Sequence, residues 1–217
     1  MRSREALVAK VMNSPFDESA HEWDTDYRIK RAKLISDEMR KVIQFDEEDS
    51  IIDFGAGTGL IGLSFLQDVR DILLIEQSQE MRLVMKNKIQ GLESKGRIRV
   101  GEDIFDPGLA PVDTIVSSMV LHHNKDLERL GNRFFDLLNP LGKLCIVDLM
   151  PDDGSFHENE RSFDGYDGFD PDWLKDVFLK AGFVFEHKNV FFSDTKKGKG
   201  KQVDYSLFIL IMKKGAQ

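Results

Sequence analysis

Cysteine is nearly absent from this chain: its 217 residues hold one, Cys145. An intramolecular disulfide is thereby excluded, and a place inside the apolar run Lys143 to Met150 makes this thiol a small core residue rather than a nucleophile. Long hydrophobic runs are missing too, and none approaches the length that spans a bilayer. The start, Met1-Arg2-Ser3-Arg4-Glu5-Ala6, passes into mixed polar sequence rather than a signal-type apolar stretch, so a cytoplasmic location and no membrane partner are expected. No stretch has Cys/His spacing of the metal-binding kind, and no metal is expected. Positive charge is in deficit: 30 Lys and Arg stand against 38 Asp and Glu, a formal net charge of -8. Affinity for phosphate backbones comes mainly from Lys and Arg, so no nucleic-acid partner is expected. The one basic cluster, Lys196-Lys197-Gly198-Lys199-Gly200-Lys201, is glycine-interrupted and reads as a solvated hairpin tip.

What is present is enough for one substantial core. Hydrophobic residues make up 41% of the chain, and no repeat or low-complexity linker divides it, so a single domain over 1–217 is expected. Ile29, Ala32, Ile35, Met39, Val42 and Ile43 recur at helical spacing between Asp26 and Phe45, predicting an amphipathic helix. Phe16 to Trp23 reads as a shorter helical piece ahead of it. Apolar runs then alternate with helical ones. Strands are predicted at Ser50 to Phe54, Ile72 to Glu76, Arg97 to Val100, Val112 to Ser117 and Lys143 to Leu149. Helices are predicted after the first strand over Leu60 to Leu66, then over Gln79 to Ile89, Leu127 to Leu138 and Trp173 to Ala181. Strands apolar on both faces and alternating with helices indicate a parallel sheet covered on each side. Phe183 to Phe192 and Val203 to Met212 are joined by too short a loop for a crossover, so they pair antiparallel. The fold class is α/β, a doubly wound sheet ending in a hairpin.

In such a sheet the ligand crevice lies at the carboxyl ends of the strands, where strand order reverses. The turn Asp53-Phe54-Gly55-Ala56-Gly57-Thr58-Gly59 stands at that end of the first strand, and its glycines let a ligand approach the backbone closely. Glu76 ends the second strand, where a carboxylate can accept both hydroxyls of a ribose. Asp103 follows the third, beside Ile104, an acceptor next to an apolar face that suits an adenine amino group and ring. A nicotinamide dinucleotide is the rival ligand, but its fingerprint needs a third glycine where this chain has Leu60. Asp53 would also repel a diphosphate while attracting an ammonium group.

These residues resemble the class I S-adenosylmethionine-dependent methyltransferases, in particular the small-molecule group. Asp53 to Gly59, with Ala56 and Thr58, resembles the family's first motif, Glu76 its ribose acid, and Glu102-Asp103-Ile104 its adenine motif. Asp113 to His123 is similar to the fourth strand and the loop behind the methyl donor, and Leu138 to Leu144 to the turn into the fifth. The likeness runs from about Phe16 to Lys213 and implies a Rossmann-like seven-stranded sheet. It implies S-adenosylmethionine as cofactor and S-adenosylhomocysteine as product, with Gln77, Met81 and Ser118 joining the cofactor set. Residues 1–46 are expected to form a helical lid and cover carrying Phe16, Trp23 and Tyr27. The acceptor is expected to be a small molecule, and the protein a monomer or homodimer.

A sulfonium methyl is electrophilic without help, so alignment and exclusion of water are the main tasks. If the acceptor must lose a proton, His122, His123 and His157 are the candidate bases. The long acidic and aromatic stretch Pro151 to Phe169 follows the fifth strand and is expected to line the acceptor pocket through Phe156; alternatively its aromatics complete the core around Trp173. A non-catalytic sensor or accessory protein that binds the same cofactor is the alternative function.

Overall fold

Short apolar runs bounded by charge and turn residues become the strands of one sheet. β1 (Ser50–Phe54), β2 (Asp71–Ile75), β3 (Arg97–Gly101), β4 (Val112–Ser118) and β5 (Leu138–Leu149) pair in parallel. β6 (Phe183–Lys197) and β7 (Gln202–Lys214) form an antiparallel hairpin, and β7 enters antiparallel beside β5. The order across the sheet is β3-β2-β1-β4-β5-β7-β6, the seven-stranded, mostly parallel arrangement expected from the sequence. The computed structural model describes residues 16–92, 96–158, 160, 163–198 and 200–215, so residues 1–15 of the expected lid lie outside the described residues. Among the described residues no helix is long and apolar enough to cross a membrane.

The helices start where side chains satisfy free backbone donors. Thr25 caps α1 (Asp26–Val42), Ser78 caps α2 (Gln79–Gln90), Asp126 caps α3 (Leu127–Leu137), and Asp170 with Pro171 in the first turn opens α4 (Pro171–Lys180). They cover the two faces of the sheet. On one, Ile52, Ile115, Ile146 and Leu210 meet Leu130 and Phe134 of α3 and Leu174 and Phe178 of α4. On the other, Ile51, Val116, Cys145 and Ile209 meet Ile35 and Met39 of α1 and Met85 of α2. Fully burying such a side chain contributes about 1.5–3 kcal/mol.

The structure corrects one expected element. Leu60 to Leu66 does not continue as an α-helix after the glycine turn; only Gly62–Phe65 coils, as a single 3₁₀ turn. Gly62 is pressed onto the sheet, where a Cβ would fall 2.3 Å from Leu74 Cδ2, and its N–H donates to Asp53 Oδ2 at 2.8 Å. Glycine at 59 and 62 also weakens helix propensity there. The piece expected over Phe16 to Trp23 is likewise 3₁₀, over Asp17–Glu22.

Candidate active site

Strand order reverses between β1 and β4, and a cleft of about 250 Å³ opens at their carboxyl ends. Its floor is the glycine turn. Gly55 has φ +72, and a Cβ there would come within 2.4 Å of Val120, so only glycine fits between β1 and the β4 loop. Gly57 has φ +55, yet the nearest atom to a Cβ would be Trp23 Nε1 at 3.8 Å. Its glycine is required by conformation, and the space beside it belongs to the cleft.

Glu76 locks this floor to the next strand. Its Oε2 accepts the Gly57 N–H at 2.8 Å and its Oε1 the Ser78 N–H at 2.7 Å. Asp53 is 1% exposed and lies in the cleft wall. Burial pushes its carboxyl up to about 7, against the opposing hydrogen bond from Gly62 and with a smaller upward push from Glu76. Opposite, Phe16 and Trp23 meet edge to face at 5.8 Å over the cleft. A polar knot holds that roof down: Thr58 Oγ1 donates to Asp24 at 2.5 Å, Lys88 pairs with Asp24, and Lys88 Nζ donates to the Thr58 carbonyl at 2.8 Å.

Most of the residues expected from the sequence line this cleft: Asp53, Gly55, Ala56, Gly57 and Thr58 below, Glu76, Gln77 and Met81 on one side, Ser118 and His123 on the other, Phe16 and Trp23 above. Others do not. Gly59 faces inward, toward Leu63 and Met85. Asp103 is exposed and accepts the Phe105 N–H at 2.9 Å, while Ile104 borders a neighbouring groove that shares Gln77 and His123 with the cleft. Tyr27 points away from the cleft, because its hydroxyl meets Tyr205 at 2.5 Å and Asp194 at 3.0 Å and ties α1 to the hairpin. Phe156 is buried against Tyr205, 5.1 Å between rings, and belongs to the core rather than to the cleft wall. Phe169 stacks on Trp173 at 5.9 Å and Tyr166 meets it at a tilt, so these aromatics pack on the half-exposed Trp173 rather than on the cleft.

Sequence reasoning passed over Arg28 and Arg31, which line the cleft with Ala32 and Ile35. The four positions follow the helical repeat of one face, a signal that was readable once the apolar members were seen. Arg28 lies 3.8 Å over the Trp23 ring, and burial lowers its pKa. Met119, also missed, has φ +55 at the end of β4 and lines the cleft. A non-glycine residue held there is strained by about 1–2 kcal/mol, a strain that sequence does not display.

Beside the cleft the three histidines come together. His122 and His123 sit in the 3₁₀ turn after β4, and His157 in the one after β5. His122 Nδ1 meets Asp148 Oδ1 at 2.5 Å, both side chains buried. His123 is held down to about 4, by burial first and then by His122, with Asp148 opposing. His157 is held down to about 3 by burial and by His122, His123 and Lys196. Both rings are therefore neutral at pH 7.

This sheet order, with a glycine-turn cleft at the switch point and a reversed seventh strand, is the Rossmann-like architecture of class I methyltransferases. The comparison with known families agrees: a family model described as a methyltransferase domain matches residues 27–188, and the chain belongs to that family, among the class I S-adenosylmethionine-dependent methyltransferases. It is 31% identical over 148 residues to an uncharacterized methyltransferase of Schizosaccharomyces pombe, covering 61% of this chain and 52% of that one. It is 28% identical over 136 residues to an uncharacterized methyltransferase of Oceanobacillus iheyensis, covering 61% and 62% respectively. The chain thus spans 52% and 62% of the length of these two curated relatives. A Haloferax volcanii methyltransferase, solved in complex with the Trm112 methyltransferase activator, aligns with a TM-score of 0.71 over 92% of this chain and 97% of that one. At 14% identity that likeness shows the fold. The class I fold implies S-adenosylmethionine as the bound cofactor.

Proposed function

We propose that this chain transfers the methyl group of S-adenosylmethionine to a small-molecule acceptor in the cytoplasm, releasing S-adenosylhomocysteine, as a monomer or homodimer. One observation carries the reading: the Gly57 N–H donates to Glu76 Oε2 at 2.8 Å, so the glycine turn and the strand-end acid form one continuous wall of the cleft. On this reading Glu76 accepts the ribose hydroxyls through its remaining lone pairs, and the backbone from Gly55 to Gly57 faces the methionine part. Asp53 faces the ammonium group, and Arg28 or Arg31 supplies the cation for its carboxylate. Gln77, Met81 and Ile104 border the adenine, with Asp103 near its amino group. Ser118 flanks the sulfonium, and Phe16 and Trp23 close over the donor to exclude water. The acidic net charge and the aromatic roof favour a compact acceptor over a nucleic acid.

Calorimetric titration with S-adenosylmethionine and S-adenosylhomocysteine tests the cofactor. The unmodified chain is expected to bind both, and Gly57→Val to lose at least about tenfold in affinity, since a β-branched residue is strained at φ +55 and intrudes on the cleft. No binding by the unmodified chain overturns the reading. Formation of S-adenosylhomocysteine in a screen of small metabolites then separates an enzyme from a non-catalytic binder.

A further inference from the structure

His157 presents an anomaly that the cofactor reading leaves unexplained. Its side chain is 2% exposed, and neither ring nitrogen has a hydrogen-bond partner among the described residues. Glu160 Oε1 stands 3.9 Å from Nε2, beyond hydrogen-bond reach. A neutral imidazole always carries one N–H, and leaving it buried and unpaired forfeits the hydrogen bond that water would have given it. An ion bound at the ring is one standard resolution of such an orphan.

The neighbours suit an ion. One ring nitrogen from each of His122, His123 and His157 lies within 4.8 Å of the other two. Around a tetrahedral zinc at about 2.0–2.1 Å, ligand nitrogens stand roughly 3.4 Å apart, so closing the set takes side-chain shifts on the order of 1 Å. His123 has room for that, being only half-buried and meeting Phe16 and Phe163 edge-on at 5.2 Å and 5.5 Å. The supporting contacts are already built. Asp148 Oδ1 takes His122 Nδ1 at 2.5 Å, which leaves Nε2 as the nitrogen His122 can offer, in the carboxylate–histidine arrangement that orients metal ligands. Phe163 stacks flat on His157, 3.7 Å between centres and 7° between planes, and fixes that ring. Lys196, over the Phe156 ring, brings an opposing positive charge, which Glu160 counters, while Asp148 acts on His123.

We infer that His122, His123 and His157 bind a divalent transition metal of the zinc class at the edge of the cleft. Three imidazoles are borderline-soft donors that suit zinc and its neighbours and not magnesium or calcium. Three protein ligands leave a fourth position open to water or to a ligand, and His123 borders the cleft itself. Resting on the methyl-transfer reading, the acceptor class follows: a hydroxyl or thiol that the metal would bind, its proton passing to solvent, so that the bound oxygen or sulfur attacks the methyl carbon as the donor's carbon–sulfur bond breaks and S-adenosylhomocysteine leaves.

The test uses the full chain without an affinity tag, stripped with a chelator and titrated with zinc and with cobalt in the absence of any cofactor. Expected are about one equivalent per chain, the intense visible bands of four-coordinate cobalt, and a zinc-dependent rise in melting temperature. His123→Gln and His157→Ala should each abolish the cobalt bands and lower zinc affinity at least about a hundredfold, and Asp148→Asn by about ten- to a hundredfold. A control lacking the two other histidines, His21→Ala with His187→Ala, should bind as the unmodified chain does. Absence of stoichiometric binding, binding that survives in His123→Gln, or loss of binding in the control overturns the site. Because His157→Ala can unfold the chain, the half-buried His123→Gln and the thermal shift of the unmodified protein decide the matter. S-adenosylmethionine affinity measured on the stripped chain reports separately on the methyl-transfer reading, so the two can fail independently.

Discussion

Asp53 shows how far burial can move a single group. Its carboxyl, ordinarily near 3.8, is raised to about 7, so between those values the folded chain holds a proton that the unfolded chain has released. Folding is therefore favoured by this group at low pH, and that contribution is lost as pH rises through the same window. Paired urea denaturations of the unmodified chain and Asp53→Asn isolate it, because the asparagine can still accept the Gly62 N–H and the other titrating groups cancel in the difference. The unmodified chain should lose stability relative to the variant by up to about 1.4 kcal/mol per pH unit from about 4 to 7. A difference that stays flat across that range contradicts the buried acid. At Glu76 the expected outcome concerns binding. Glu76→Ala leaves the Gly57 and Ser78 N–H groups without their acceptor and removes the proposed ribose acceptor, so S-adenosylmethionine affinity by calorimetry should fall at least about a hundredfold and the melting temperature should drop by a few degrees. Equal affinity in the two proteins would remove Glu76 from the site.

Among the elements, the roof over the cleft is held by polar contacts rather than by a core. The 3₁₀ segment Asp17–Glu22 buries one residue, Ala20, and is held through Ser78 Oγ to Asp17 at 2.5 Å, with the Thr58, Asp24 and Lys88 knot just beyond it. Segments with few buried apolar contacts open at low free energy. Asp24→Ala should accordingly speed amide exchange and proteolysis around Phe16 to Thr25 and weaken S-adenosylmethionine binding about tenfold, with global stability changed by less than about 1 kcal/mol. Unchanged exchange there would show that the knot does not hold the roof. This organisation was only partly legible. The helical spacing from Ile29 to Val42 marked α1 and its apolar stripe. That Tyr27 turns to Tyr205 and Asp194, and that Arg31 reaches the Tyr205 hydroxyl at 3.3 Å as well as the cleft, depends on where the hairpin lies.

For the whole molecule, β7, like β1, β4 and β5, sends side chains into both cores. Its alternate residues Phe208, Leu210 and Met212 face α3 and α4, while Leu207, Ile209 and Ile211 face the side covered by α1. Its full length pairs with β6, and Leu207 to Lys213 pair with β5. Phe208→Ala should cost about 3–5 kcal/mol in urea denaturation, the range for removing a fully buried aromatic ring. A loss below about 1 kcal/mol would mean that the hairpin is peripheral to the fold.

The sequence by itself determined what is local: the strand positions, the main helices, the antiparallel hairpin, and the glycine turn with an acid at the next strand end. Each of these is set by period, loop length or backbone freedom within a few residues, which one chain displays directly. It misjudged Leu60 to Leu66, where contact of Gly62 with Leu74 and Asp53 overrides the local pattern. Only the tertiary structure decided which distant groups meet. His157 reaches His122 and His123, and Asp148 reaches His122, because β4 and β5 are neighbours whose ends deliver loops far apart in the chain to one sheet edge. No spacing rule in the sequence encodes that meeting, since it depends on strand order across the whole sheet.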